Sequence, residues 1–305
     1  MKKIDCYIKE KINNCHNKIV VITGANSGIG YETMKVLASK GAHIVMACRS
    51  IERATKAKNN VLSEFPNSQI DILEFDQSSF KSIDNFIKNL KEAYPHIDVL
   101  ICNAGIYHPK EGQITEDNFP LTIGTNYLGL FYLVEKLRDG YLNDTKLILV
   151  SSIVYKYAKI KDYKFLKEEN YRAFKQYSLS KLCIARYFEY LNNNTDLNIY
   201  LMHPGISATN IFTSPTSSYK RWFKNLANKL LPLLVHSPKK AALSLSLLSA
   251  NEYKNHTFLG PRGPFEISGY PRVLKLRKNG RKNAEILYQK TKNAIKDGVN
   301  YVECK

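Results

Sequence analysis

Apolar residues arrive along this chain in short runs separated by longer stretches with helical spacing. Lys18 to Thr23 (KIVVIT) is an apolar run of strand length, and Gly24 to Gly30 is a glycine-bearing turn. Ile29 to Lys40 has helical spacing and stops at Gly41, a helix C-terminal signal. The pattern then repeats. Strands are predicted at His43 to Cys48, Ile70 to Phe75, Ile97 to Cys102, Lys146 to Val150, Leu197 to Met202 and His256 to Leu259. Helices are predicted at Ile51 to Phe65, Ser79 to Tyr94, Phe119 to Leu137, Lys175 to Leu191, Lys239 to Ala250 and Glu285 to Lys296. Strands alternating with helices of this length mean βαβ units and a parallel sheet. The strands are apolar on both faces, as helices on both sides require. The expected fold class is therefore α/β: a doubly wound parallel sheet, the Rossmann fold, of about seven strands. A single domain over 18–305 is expected behind an N-terminal extension, 1–17.

Three stretches break the alternation. In the extension, Ile4, Ile8 and Ile12 share helical spacing; the segment either packs against the body or touches a membrane. Ile153 to Tyr171 is a Lys- and Tyr-rich insertion. The region of about 206–238 mixes Phe212, Trp222, Phe223 and several leucines with basic residues. These residues either pack on the sheet or line a lid over an apolar substrate.

Composition narrows the function classes. With 45 basic and 27 acidic residues, the formal charge is +18. That suits anionic partners, but it follows a Lys-rich bias spread over the chain, and no zinc-finger, RRM or KH signature accompanies it. Nucleic acid is not an expected partner. The six cysteines form no CxxC pair, and no Cys/His spacing suggests zinc. Neither a signal peptide nor a spanning apolar run is visible. The expected setting is soluble and cytoplasmic, with peripheral membrane association as the alternative.

Candidate chemistry sits at strand ends. Gly24-Ala25-Asn26-Ser27-Gly28-Ile29-Gly30 links the first strand to the first helix. Gly24 permits the tight turn, Gly28 lets a pyrophosphate approach the backbone, and Gly30 lets helix and strand pack closely. The helix N-terminus then offers amides to phosphate. An NAD site usually ends its second strand on a carboxylate. Here Arg49 stands after that strand and can pair with a 2′-phosphate. NADP(H) is therefore expected over NAD(H). Tyr177 and Lys181 lie at i and i+4 on one helical face. A cation one turn away favours the phenolate, which allows the tyrosine to exchange a proton with a substrate oxygen. No metal site is expected.

TGANSGIG, Asp76, CNAG (Cys102 to Gly105), Asn126, Ser152, YSLSK and HPG (His203 to Gly205) occur in an order that resembles the short-chain dehydrogenase/reductase family. ACRS, TIGTNYLGLFYL and the tail LGPRGPFEISGYP resemble its retinol dehydrogenase and protochlorophyllide reductase-like branch. The resemblance implies an oxidoreductase that reduces an aldehyde or ketone, or oxidises the alcohol. Tyr177 would be the general acid/base, Lys181 would lower its pKa and hold the nicotinamide ribose, and Ser152 would bind the substrate carbonyl. Asn126 would hold a water linking Lys181 to solvent. Asp76 would meet the adenine, and Asn103, Ala104 and Gly105 would line its ribose. Pro204, Gly205, Ile206 and Thr209 would contact the nicotinamide side. Relatives in this branch often carry an N-terminal membrane anchor, which is not expected here, and family members are often homo-oligomers. The competing reading is a non-enzymatic cofactor-binding or regulatory scaffold on the same fold. An extended-type epimerase or dehydratase is disfavoured by the short region after His203.

Overall fold

The computed structural model describes residues 2–107, 113–167, 172–206 and 237–303. Strands β1 (Ile19–Thr23), β2 (His43–Cys48), β3 (Ile70–Glu74), β4 (Val99–Cys102), β5 (Lys146–Val150), β6 (Ile199–Met202), β7 (Phe258–Pro261) and β8 (Pro271–Leu274) form one sheet. Their order is β3-β2-β1-β4-β5-β6-β7-β8. The first seven run parallel and β8 returns antiparallel, with Leu259 opposite Val273. The doubly wound Rossmann-type sheet is present with one strand more than the pattern predicts. β8 escapes a periodicity reading because it is short, opens on Pro271 and exposes Arg272 and Val273 at the sheet edge.

Alternate residues of each strand feed two separate cores. Val21, Val45, Leu100, Leu147 and Leu201 point to one face. Val20, Ile44, Ile101, Ile148 and Met202 point to the other. Helices α1 (Lys2–Lys11), α2 (Gly28–Ser39), α3 (Ile51–Glu64), α4 (Phe80–Ala93), α5 (Leu121–Ile123), α6 (Gly129–Arg138), α7 (Ala173–Asn194), α8 (Pro238–Ala241), α9 (Leu243–Ala250), α10 (Lys278–Arg281) and α11 (Ala284–Glu303) complete the described elements. The first face is covered by α4, α6, α7 and α11, through side chains such as Phe86, Phe131, Phe188 and Leu287. The second is covered by α2, α3 and α9, through Leu37, Val61 and Leu245. Ile4, Tyr7 and Ile8 of α1 pack on that second core, and Tyr7 stacks on Tyr270 at 4.6 Å.

Two local features depart from regular elements next to the carboxyl edge of the sheet. The predicted helix from Phe119 to Leu137 is not continuous: between α5 and α6, residues Gly124–Leu128 form a π-turn. A π-turn inserts a residue into the helical ladder and re-aims its side chains, here Asn126. The insertion after β5 forms two 3₁₀ turns, Ile153–Lys156 and Lys164–Leu166. Of the expected lid, 206–238, only the first and last two residues are described. Among the described residues, no helix is long and apolar enough to cross a membrane.

Helix α6 approaches the turn after β3 so closely that a Cβ on Gly129 would lie 1.9 Å from the Gln77 carbonyl oxygen. Gly129→Ala is expected to lower stability by about 1–3 kcal/mol. The measurement is urea unfolding, where the midpoint should fall with an unchanged slope.

Candidate active site

Six parallel strands end at the same edge of the sheet, and their ends line a cleft of ≈ 420 Å³. The strand order reverses between β1 and β4, so the loops after them diverge and leave a crevice. Asn103 holds the two ends together. Its Nδ2 donates to the carbonyls of Thr23 at 2.8 Å and Gly24 at 3.4 Å. Thr23 Oγ1 accepts from the amides of Asn103 and Ala104.

The glycine turn is shaped for close approach. Gly24 and Gly28 have φ of 69° and 58°. A Cβ on Gly30 would lie 2.6 Å from both Gly24 O and Asn103 Nδ2. Ser27 precedes α2 in an extended conformation without capping the helix through its side chain. The first-turn amides of α2 thus have no partner within the helix. Gly24, Asn26, Ser27, Gly28 and Ile29 line the cleft. An open helix start in a glycine cradle fits a dinucleotide pyrophosphate.

Arg49 and Asp76 meet at the far end. Arg49 Nη1 is 3.7 Å from Asp76 Oδ2, and Asp76 Oδ1 accepts from the amide and hydroxyl of Ser78. Arg53, four residues beyond Arg49, also lines the cleft. Sequence reasoning does not single it out, although the i, i+4 spacing is a signal that could.

At the other end lie Ser152, Tyr177 and Lys181, all buried. Ser152 hydrogen bonds to the Tyr177 phenol. Lys181 Nζ donates to Val150 O at 3.1 Å and lies 5.7 Å from the centre of the Tyr177 ring. Ser151 has a different part from its neighbour: its hydroxyl donates to the backbone carbonyl of Lys181 at 2.8 Å, tying β5 to α7. Burial pushes the Tyr177 phenol up to about 12; the Ser152 hydrogen bond opposes this and Tyr107 adds to it. Desolvation is the largest influence on this phenol. Burial also brings Lys181 down to about 8.

Asn126 braces the loop after β4. Its Oδ1 accepts from the Ile106 amide at 2.7 Å, and its Nδ2 donates to Ile106 O and to Ser180 Oγ. Gly105 fits between Asn126 and Lys181: a Cβ there would meet Asn126 Oδ1 at 3.2 Å and Lys181 Nζ at 3.6 Å. Ala104, Gly105 and Pro204 line the cleft, Gly205 and Ile206 continue the turn from Pro204, and Thr209 lies outside the described residues.

Two more contributors have no clear sequence signal. Tyr107 meets Tyr177 edge-on, with ring centres 5.0 Å apart. Gln77 Nε2 donates to Ala104 O and Thr125 O, linking the loops after β3 and β4 to the π-turn. Cys102 is buried and its thiol is pushed up to about 12 by burial. It is a packing residue. Among the described residues, no cluster of three or more His, Cys, Asp or Glu side chains is placed to hold a metal.

Comparison with known proteins bears on the family and the fold. The family described as short chain dehydrogenase matches residues 18–219. Retinol dehydrogenase 11 of Homo sapiens is 30% identical over 254 residues, covering 78% of this chain and 77% of the relative. Retinol dehydrogenase 14 of Mus musculus is 35% identical over 216 residues, covering 64% of this chain and 63% of the relative. A WW domain-containing oxidoreductase of Gallus gallus is 33% identical over 201 residues, with 62% of this chain and 48% of the relative covered. The chain thus spans between about half and two thirds of the length of these last two relatives. In structure it is similar to an uncharacterized Mycobacterium paratuberculosis protein, with a TM-score of 0.73, 24% identity and coverage of 95% and 97%. It is also similar to a Burkholderia cenocepacia short chain dehydrogenase in complex with NADP, with a TM-score of 0.61, 18% identity and coverage of 79% and 93%. At such identities the structural likeness concerns the fold. The family match and the Rossmann sheet together establish that this chain belongs to the short-chain dehydrogenase/reductase family of oxidoreductases.

Proposed function

We propose that this protein is an NADP(H)-dependent oxidoreductase, built as one domain, that interconverts a lipophilic aldehyde or ketone and its alcohol. The observation that carries this reading is that Tyr177 and Lys181 line the cleft that begins at the glycine turn, with Ser152 hydrogen-bonded to the Tyr177 phenol. Arg49 and Arg53 at the opposite end suit a 2′-phosphate, and the end of β2, Ala47-Cys48-Arg49-Ser50, offers no carboxylate to hold a free ribose diol. Support for an apolar substrate comes from the aromatic and leucine content of 206–238 and from relatives named for retinol.

A bound nicotinamide dinucleotide would supply or take up the hydride. Tyr177 is the proton donor in reduction. Its high pKa keeps the phenol protonated near neutral pH, ready to give its proton to the substrate oxygen. Ser152, already bonded to that phenol, holds the same oxygen. The Lys181 cation favours the phenolate left after transfer. In the reverse direction that phenolate is the base. Asn126 braces the Ile106 backbone, and Gly105 packs between Asn126 and the Lys181 ammonium.

Tyr177→Phe is expected to cut kcat by about 10²-fold or more while leaving cofactor affinity intact. Unaltered turnover in a carbonyl panel would reject the acid/base role. Arg49→Ala should weaken NADPH binding by about tenfold, less than a buried pair would give, because this guanidinium is largely exposed. NADH binding should not change; fluorescence titration of both cofactors checks this.

Lys181 supplies a third outcome. Its folded pKa lies below the free lysine value, so the charged form costs stability at pH below about 8. That cost fades as pH rises from there toward the free value. Lys181→Met is therefore expected to raise the thermal midpoint at pH 7 in cofactor-free protein, with the gain shrinking at high pH, while turnover is lost.

A further inference from the structure

A second buried ionic group joins segments that border the cleft. Glu266 Oε2 accepts from His203 Nε2 at 2.8 Å and from the Lys156 ammonium. His203 is fully buried and the Lys156 side chain is 3% exposed. The three residues come from three segments. Lys156 ends the 3₁₀ turn that starts immediately after Ser152. His203 follows β6 and precedes Pro204, which lines the cleft. Glu266 belongs to the return between β7 and β8.

The contacts of His203 define its protonation. Its Nδ1 accepts from the Gly205 amide at 3.1 Å, so that nitrogen carries no proton. The proton sits on Nε2, facing the Glu266 carboxylate. Burial lowers the His203 pKa and keeps the ring neutral. Burial by itself would raise the Glu266 carboxyl, but its hydrogen bonds from His203 and Lys156 prevail and hold it at about 2. Gly260 leaves room for the ring: a Cβ there would lie 2.7 Å from His203 Nε2. The same tail segment grips the next turn directly, since Ile206 N donates to Ile267 O at 2.8 Å.

We propose that Glu266 is a positioning residue that fixes the Nε2–H tautomer of His203 and so sets the Pro204–Ile206 turn relative to the Ser152 turn. The Gly205 amide needs an acceptor at Nδ1. If the ring proton moved there, two donors would face each other and the turn at Gly205, which has φ of 74°, would lose its anchor. A carboxylate on Nε2 forbids that exchange, because it accepts only a donor. Lys156 on the same oxygen binds the Ser152 side into the same unit. The functional part of this proposal rests on the cleft being a hydride-transfer site; the tautomer does not.

The test uses Glu266→Gln and the double variant Lys156→Met/Glu266→Leu. The double variant removes both charges of this largely buried pair together, a change that proteins often tolerate. Thermal unfolding verifies the fold. ¹⁵N-histidine NMR of cofactor-free protein reads the His203 ring, and kcat and KM are read for a carbonyl that the wild type reduces. Glu266→Gln retains an acceptor, so the tautomer should persist and kcat/KM should stay within about threefold of wild type. The double variant should release His203 to a mixture of tautomers and lower kcat/KM by about 10- to 100-fold, with the NADPH Kd within about twofold. An unchanged His203 signal in the folded double variant overturns the proposal, as does a shifted tautomer with unchanged kcat/KM. A wild type that reduces no carbonyl rejects the hydride-transfer reading instead, and the NMR signal then still decides whether Glu266 holds the tautomer.

Discussion

The site is built outward from the hydrogen bonds that join the ends of β1 and β4. A parallel sheet leaves its last amides and carbonyls pointing into the crevice where the strand order reverses. Those groups need partners without a bulky plug in the way. Asn103 and Thr23 meet this need side by side, using one amide and one hydroxyl to serve four backbone groups. Because these bonds run beneath the loops, Gly24 and Gly105 remain bare above them. A larger residue at Gly30 would collide with Asn103 itself, so the glycine turn and the asparagine constrain each other.

The fold places two kinds of buried charge around this junction and treats them differently. Among the described residues Lys181 is buried without a carboxylate partner, with the Val150 carbonyl as its hydrogen-bond acceptor. Tyr177 is buried beside it with its proton held firmly. Burial disfavours the charged form of both groups. Lys156 is buried too, but Glu266 answers its charge and His203 satisfies the same carboxylate. The first arrangement leaves a charge available to chemistry; the second removes charge from play and supplies rigidity.

Much of this is legible along the chain. The alternation of apolar strands and amphipathic helices specifies a parallel sheet because neither period survives in the other geometry. The glycine turn is visible because its shape depends on residues adjacent in sequence. Tyr177 and Lys181 share a helical face for the same local reason. The π-turn around Asn126 is not legible: a stretch such as GTNYL keeps helical composition whether or not an extra residue enters the ladder. β8 escapes because four residues opening on proline carry too little pattern.

What the sequence determined by itself was the order of elements, the carboxyl edge at which the loops gather, and which candidate side chains stand at that edge. The tertiary structure decided how distant residues pair: Arg49 with Asp76, Tyr107 with Tyr177, and Glu266 with His203 across 63 positions of chain. It also decided the sign of the Tyr177 shift, since a cation one turn away favours ionisation while the depth of burial opposes it, and depth is a property of the whole packed core. Periodicity encodes which face a residue takes on its own element. Partners and desolvation depend on which elements meet, and that is settled only when the two cores close around the sheet.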